Sequence, residues 1–125
     1  MADISPMIAA GRQVIDGYGE GQFCVAGFWR EGAVIVLPDR TIPWSPPAFA
    51  DLTIADLREV ATAEPAVEIL LLGSGARAAM APKPLRLDLR AAGVVVESMD
   101  SAAACRTFNI LLAEGRRVAA ALIPL

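Results

Sequence analysis

The sequence predicts an α/β fold with three layers, in which an N-terminal β-meander (residues 12–37) precedes a βαβαβ unit (residues 67–123) with a mostly parallel sheet. Two patterns lead to this prediction. The first third of the chain contains short β-branched or aromatic runs separated by glycine, which is typical of antiparallel hairpins. The second half contains near-continuous apolar runs that alternate with helical segments, which indicates parallel strands joined by helices. With 125 residues, the chain has the length of a single domain.

The meander is predicted from three short runs, residues 12–18, 22–28 and 33–37. The sequences GEG and REG separate these runs, and glycine readily adopts the positive φ that a tight turn requires. An antiparallel three-stranded sheet is the simplest arrangement for consecutive strands with such short connections.

A proline-rich loop is predicted over residues 38–51, because proline has no N–H to donate within a sheet. Trp44 lies among these prolines. It is either an anchor for a protein partner, since exposed tryptophans contribute strongly to interfaces, or a side chain that packs the loop onto the domain. A helix is predicted over residues 53–63, with Thr53 as the N-cap and Asp56 in the position of a capping box.

The βαβαβ unit is predicted from three apolar runs with two helical segments between them. The runs are residues 67–72, 94–97 and 117–123, and the helices are residues 84–92 and 100–114. Asp100 is expected to cap the second helix and Gly115 to end it. The first helix is ambiguous, because residues 85–90 alternate with the period of a strand. Pro84 and Gly93 at its two ends favour a helix.

The composition excludes several kinds of chemistry. The chain has no histidine and a single tyrosine. Imidazole acid–base catalysis, Ser-His-Asp and Cys-His nucleophiles and histidine metal sites are therefore excluded. We predict no catalytic residues, no metal site and no cofactor. The net charge of −3, with no basic tail or stripe, argues against nucleic-acid binding.

The two cysteines, Cys24 and Cys105, lie in apolar runs and are predicted to be reduced residues of the core. The alternative for Cys105 is a reactive thiol, because the neighbouring Arg106 favours the thiolate, although burial opposes it.

The N-terminal run MADISPMIAA lacks the basic start of a secretory signal, and no apolar run reaches the roughly 18 residues of a membrane span. We therefore expect a cytoplasmic protein that does not insert directly into a membrane. The sequence does not define its oligomeric state.

Gly73-Ser74-Gly75, in the run GSGARA, follows a predicted buried strand and fits the GxGxxA pattern of dinucleotide-binding turns. That mechanism needs a helix to begin at the second glycine, so that its N–H groups face the pyrophosphate. Here two prolines delay the helix. A plain turn at the end of the strand is the favoured interpretation, and the binding of a nucleotide, another ligand or a partner is the alternative.

A second polar cluster follows the next predicted strand. Glu97 and Asp100 are expected at the carboxyl end of that strand, where open α/β sheets bind ligands. Arg106 and Asn109 are spaced to share one face of the following helix. A structural explanation is also open for three residues: Asp100 as a cap, Arg106 in a local pair, and Thr107 on the helix surface or hydrogen-bonded back to a carbonyl. The candidate binding rim comprises Gly73, Ser74, Gly75, Glu97, Asp100, Arg106, Thr107 and Asn109.

The C-terminal string VESMDSAAACRTFNILLAEGRRVAAALIPL is distinctive, together with LLLGSG and the upstream DLT. These strings resemble the domain of unknown function family 498, which includes the mitochondrial respiratory complex I assembly factor 3 and the adipogenesis-associated protein of the same domain type. The resemblance implies a three-layer α/β fold and a role in assembly or interaction, without established catalytic residues. Because the chain lacks the targeting segment of the mitochondrial member, it implies a bacterial, cytoplasmic form.

The predicted function is that of a non-catalytic interaction domain that assists assembly of a respiratory membrane complex of the complex I type. Its partners are then proteins, the subunits of such a complex. The alternative is a small-ligand or nucleotide-binding protein, or an enzyme, that uses the candidate binding rim.

Overall fold

The computed structural model describes residues 12–125. Within these residues the strands are β1 (Ile15–Gly19), β2 (Gln22–Val25), β3 (Phe28–Glu31), β4 (Val34–Val36), β5 (Thr41–Pro43), β6 (Ile69–Gly73), β7 (Val95–Met99) and β8 (Val118–Leu122). The helices are α1 (Arg58–Ala61), α2 (Lys83–Ala91) and α3 (Ser101–Ala113), with 3-10 turns at Phe49–Asp51 and Ile54–Leu57. The α/β class is confirmed.

An antiparallel sheet of three strands, in the order β1-β2-β3, forms from the first part of the chain. The prediction that residues 33–37 supply its third strand is wrong, because Phe28–Glu31 takes that place. The reason is a tight turn at Ala26 and Gly27, both of which have positive φ, at 51° and 84°. Alanine rarely adopts this conformation, so the sequence gives only a weak signal for the turn.

The second sheet has five strands in the order β5-β4-β8-β6-β7. Strands β8, β6 and β7 are parallel, with α2 between β6 and β7 and α3 between β7 and β8. Strands β4 and β5 are antiparallel to their neighbours, so the sheet is mixed rather than mostly parallel. Strand β5 lies within the predicted proline-rich loop and includes Pro43, which an edge strand tolerates.

The helices follow the predicted segments with different bounds. The segment predicted at residues 53–63 is a 3-10 turn that leads into the short α1, and the Thr53 N–H donates to Asp56 Oδ2 at 2.9 Å. Residues 85–90 lie in α2, so the ambiguity between helix and strand is resolved in favour of helix. At α3, Asp100 Oδ1 accepts from the Ala103 N–H at 2.8 Å, as expected of an N-cap.

Two apolar cores lie on opposite faces of the five-stranded sheet. On one face, the 3-10 turn Ile54–Leu57 and helix α2 pack against the sheet through Leu57, Leu85 and Leu89. On the other face, α3 and the three-stranded sheet enclose Phe23 and Phe108. Strand β8 lies between the two cores and is buried on both sides, which explains its continuous apolar sequence VAAAL.

Candidate functional site

Gly73 ends β6 where three elements approach one another closely. A Cβ atom at this position would lie 2.9 Å from Ser101 Oγ and 3.0 Å from Ser101 Cα. Ser101 is completely buried at the start of α3, and its hydroxyl donates to the Ile123 carbonyl at 2.6 Å and accepts from the Gly75 N–H at 2.8 Å. The glycines thus let α3 begin directly against the ends of β6 and β8.

The loop after Gly75 is held by hydrogen bonds within the chain. The Ser74 N–H donates to the Met99 carbonyl at 2.9 Å, and the Ser74 hydroxyl donates to the Arg77 carbonyl at 2.6 Å. The Ala79 N–H donates to Ser74 Oγ at 3.0 Å. Helix α2 begins only at Lys83, so it does not open at the second glycine, as a dinucleotide-binding turn requires. This geometry gives no support to nucleotide binding at Gly73-Ser74-Gly75.

Three further residues of the predicted rim lie on α3 or at its start, and their side chains form hydrogen bonds within the chain. Asp100 caps the helix, as described above. The Asn109 side chain accepts from the Ile15 N–H at 2.8 Å and donates to the Ile15 carbonyl at 2.7 Å, which fixes β1 against α3. Arg106 is exposed, and its Nη1 donates to the Tyr18 hydroxyl at 3.3 Å. Asp100 is thus the cap that the sequence predicts, whereas the partners of Arg106 and Asn109 are distant in the sequence and not local.

Glu97 and Thr107 are rim residues that line an open groove. Glu97 is in the middle of β7 rather than at its carboxyl end, which corrects the sequence-based expectation. Both residues line a groove of about 460 Å³ between α3 and the outer part of the five-stranded sheet. We call it the β7 groove, and its lining residues are Ile69, Leu71, Val95, Glu97, Met99, Thr107, Leu111 and Arg116.

The β7 groove is mainly apolar, with charge at its margin. The Val95 side chain is 52% exposed although it lies within a strand. Arg116 belongs to the groove lining, and its Nε donates at 3.0 Å to Oε1 of Glu68, which lies outside that lining. This hydrogen bond lowers the pKa of the Glu68 carboxyl group, and a hydrogen bond from the Arg117 backbone N–H makes a second, smaller contribution in the same direction. Sequence reasoning missed Val95, Leu111 and Arg116, because nothing in the run VVVE indicates that its strand is an edge.

Trp44 packs its own loop onto the protein, the alternative that the sequence left open. Its indole is 8% exposed, and Nε1 donates to the Asp56 carbonyl at 2.8 Å. The side chain is not available as an exposed anchor in this structure. The exposed tryptophan is Trp29, which is 59% accessible on β3 beside Phe28 at 69%.

Cys105 does not have the surroundings of a nucleophile. Burial raises the pKa of its thiol to about 12, and the smaller opposing effect of Arg106 does not overcome it. The thiol is therefore protonated at neutral pH. Cys24 and Cys105 are both buried and free, as the sequence predicts. Residues 12–125 contain no group of three or more cysteine, aspartate or glutamate side chains placed to hold a metal ion.

None of the helices in residues 12–125 combines the length and the apolar character needed to cross a membrane. The expected cytoplasmic location remains a prediction.

The fold and the β7 groove define a mixed α/β protein with an open, mainly apolar groove beside the edge strand of its larger sheet. The model of the family described as "Protein of unknown function (DUF498/DUF598)" matches residues 15–123. The chain belongs to this family, which confirms the resemblance seen in the sequence.

Two relatives illustrate the range of the family. The chain is 45% identical over 116 residues to an uncharacterised protein of Rhodobacter capsulatus, with 93% of this chain and 88% of the relative covered. It is 35% identical over 116 residues to the Danio rerio protein named NADH dehydrogenase [ubiquinone] 1 alpha subcomplex assembly factor 3, with coverages of 93% and 67%. The chain spans 60% of the Bos taurus protein of that name.

Solved structures of similar proteins have the same fold. A crystal structure of a Bordetella parapertussis protein matches with a TM-score of 0.84 and 36% identity over 94% of this chain and 99% of that one. A Bartonella henselae structure described as an outer membrane protein matches with a TM-score of 0.81 and 33% identity, over 91% of this chain and 96% of that one. A Bordetella pertussis solution structure described as a Mth938-like domain matches with a TM-score of 0.81 and 30% identity, over 98% of this chain and 92% of that one.

Proposed function

We propose that this protein is a non-catalytic interaction protein that assists assembly of an NADH dehydrogenase of the complex I type. The observation that carries the proposal is the set of relatives named as assembly factor 3 of that enzyme. The vertebrate members of this set are 33–37% identical to the chain. The partners of this protein are then subunits or assembly intermediates of the enzyme.

The chemistry of the described surface supports binding rather than catalysis. Rapid acid–base or nucleophilic catalysis needs a group with a suitable pKa beside a second reacting group. The chain has no histidine, and burial keeps the Cys105 thiol protonated. An open, mainly apolar groove with few charges is instead typical of a surface that another protein covers.

We place the partner surface at the β7 groove rather than along the whole predicted rim. Gly73, Ser74, Gly75, Asp100 and Asn109 are already engaged in hydrogen bonds or close packing within the chain. Glu97 and Thr107 border the groove and remain candidates for partner contacts. We further propose that the chain acts as one domain, since both apolar cores share the five-stranded sheet. We also propose that it acts from the cytoplasmic side of the membrane.

The proposal is tested by deleting the gene for this chain in its own organism. Membranes are then resolved on a native gel and stained for NADH oxidation, with succinate dehydrogenase on the same gel as the control. We expect less full-size NADH dehydrogenase, more of its smaller subassemblies and unchanged succinate dehydrogenase, all restored by the intact gene. An unchanged amount of full-size NADH dehydrogenase would contradict the proposal.

A further inference from the structure

Strand β7 is an edge of the five-stranded sheet, and only one of its sides is paired. The Val95 N–H donates to the Glu68 carbonyl at 3.0 Å, and the Met99 carbonyl accepts from the Ser74 N–H at 2.9 Å. Because backbone groups of successive residues in a strand point to alternate sides, the N–H and C=O of Val96 face away from β6. No strand within residues 12–125 pairs with that side. An unpaired edge of this kind can accept an added strand.

The two faces beside this edge have different chemistry. On the α3 side lies the apolar β7 groove, with Val95 half exposed at its mouth. On the α2 side lies a second cavity, of about 230 Å³, which is lined by Val94, Val95 and Val96 together with Arg86 and Arg90. Side chains of a strand added at β7 would enter these two spaces alternately, because successive residues point to opposite faces.

The two arginines favour an acidic partner on the α2 side. Arg86 Nε donates to the Ala81 carbonyl at 3.2 Å, and Arg90 is exposed. The ion pairs found within residues 12–125 join Glu68 to Arg116 and Arg117, so neither Arg86 nor Arg90 has a carboxylate partner. Carboxylates of an added strand would meet these guanidinium groups at the edge of the sheet.

We propose that β7 pairs with an extended segment of a partner protein, in which apolar side chains on the α3 side alternate with acidic side chains on the α2 side. The segment is about five to seven residues long, the usual length of a strand. This inference rests on the proposed function for the identity of the partner and adds how that partner is recognised.

A second copy of this chain fits the edge less well. Antiparallel pairing of β7 with its own copy places the α2 faces of both copies on the same side of the continuous sheet. Arg86 and Arg90 of each copy would then approach those of the other without a carboxylate between them. Like charges in this position oppose pairing.

The test uses fluorescent seven-residue peptides of alternating valine and glutamate. Each peptide is N-methylated along one of its two backbone edges, which prevents it from stacking on itself. Two isomers are made, one with each edge methylated. We expect saturable binding of one of the two isomers, and hydrogen exchange at the Val96 amide slowed by about tenfold at saturation. The matched valine–lysine peptide should not bind, because its ammonium groups would face Arg86 and Arg90.

Two substitutions with matched controls locate the binding. Val95→Lys places a charge at the mouth of the β7 groove, and Arg90→Glu reverses the charge on the other face. Each should weaken binding of the valine–glutamate peptide by about tenfold or more. The controls are Ile110→Lys, at a residue 58% exposed outside the groove lining, and the exposed Arg58→Glu. Both controls should bind like the unaltered protein, and all four variants should retain its circular dichroism spectrum.

The inference is overturned if neither isomer binds, if Val95→Lys and Arg90→Glu bind normally, or if Val96 becomes protected through self-association as the protein concentration rises. The deletion strain separates it from the proposed function. Full restoration of NADH dehydrogenase by the Val95→Lys gene would refute the β7 site and leave the assembly role intact. A deletion without effect on the enzyme would refute the assembly role whatever the peptides do.

Discussion

The Gly73–Gly75 turn and the β7 edge belong to neighbouring strands, yet they differ in whether their polar groups are satisfied. At the turn, the hydroxyls of Ser101 and Ser74 form hydrogen bonds with nearby backbone groups. Gly73 lies where the start of α3 leaves no room for a Cβ atom. At β7, one side of the backbone is unpaired and a valine is half exposed beside an apolar groove. A cluster of polar residues at a strand end therefore indicates internal packing as readily as a binding site, whereas an unpaired edge leaves bonding capacity for a partner.

The largest expected effect that tests this comparison comes from Gly73→Ala. Its Cβ would lie 3.0 Å from Ser101 Cα, a backbone atom that cannot move without shifting α3. We expect a loss of about 3 kcal/mol of unfolding free energy, measured by urea denaturation.

The matched control for Gly73 is Gly17→Ala, where the nearest atom to the new Cβ is Trp29 Cη2 at an ordinary 3.5 Å. This change should cost less than about 1 kcal/mol. Equal costs at the two glycines would show that the turn is not closely packed.

A smaller effect is expected from Asn109→Ala, which removes both hydrogen bonds to the Ile15 backbone. The partly buried Ile15 N–H and C=O then lose their partner, at a cost of about 1–3 kcal/mol. Urea denaturation measures the loss, and faster hydrogen exchange at the Ile15 amide would locate it at β1. Arg106→Ala, on the same helix but exposed, should change stability by less than about 0.5 kcal/mol. If Arg106→Ala were the more damaging change, Asn109 would not be the residue that fixes β1 to α3.

The smallest effect on stability is expected at the open edge. Val95→Lys changes a side chain that is already 52% exposed, so unfolding free energy should fall by less than about 1 kcal/mol. Its effect should instead be on the binding of peptides described above. A large fall in thermal stability would mean that Val95 is part of the core, and the contrast between the closed turn and the open edge would disappear.

The sequence predicted those features that depend on neighbouring residues. The limits of α3 follow from Asp100 and Gly115, and its apolar face follows from residues such as Phe108. The buried strands β6 and β8 follow from their continuous apolar runs. The turn at Ala26 and Gly27 was missed because alanine is an uncommon residue at positive φ. That one turn moved the third strand of the first sheet from residues 33–37 to Phe28–Glu31.

The candidate site was predicted less well than the fold. The sequence identified Glu97 and Thr107, which do border the β7 groove, but it grouped them with residues that have internal partners. The choice between a cap, a tie between elements and a ligand contact depends on which backbone groups lie within about 3 Å of a side chain. For Asn109 that group is Ile15, far away in the sequence but adjacent in the structure.

The sequence by itself determined that this protein is an α/β member of its family and that any chemistry it performs does not use histidine. Local propensities, caps and apolar runs carry that information, because they act between residues close in the chain. Only the tertiary structure decided that β8 lies in the middle of the five-stranded sheet and β7 at its edge. The runs VVVE and VAAAL are both apolar, and the order of strands arises from packing between distant segments. The open edge, where we expect a partner to bind, is therefore a property of the fold and not of any single run of residues.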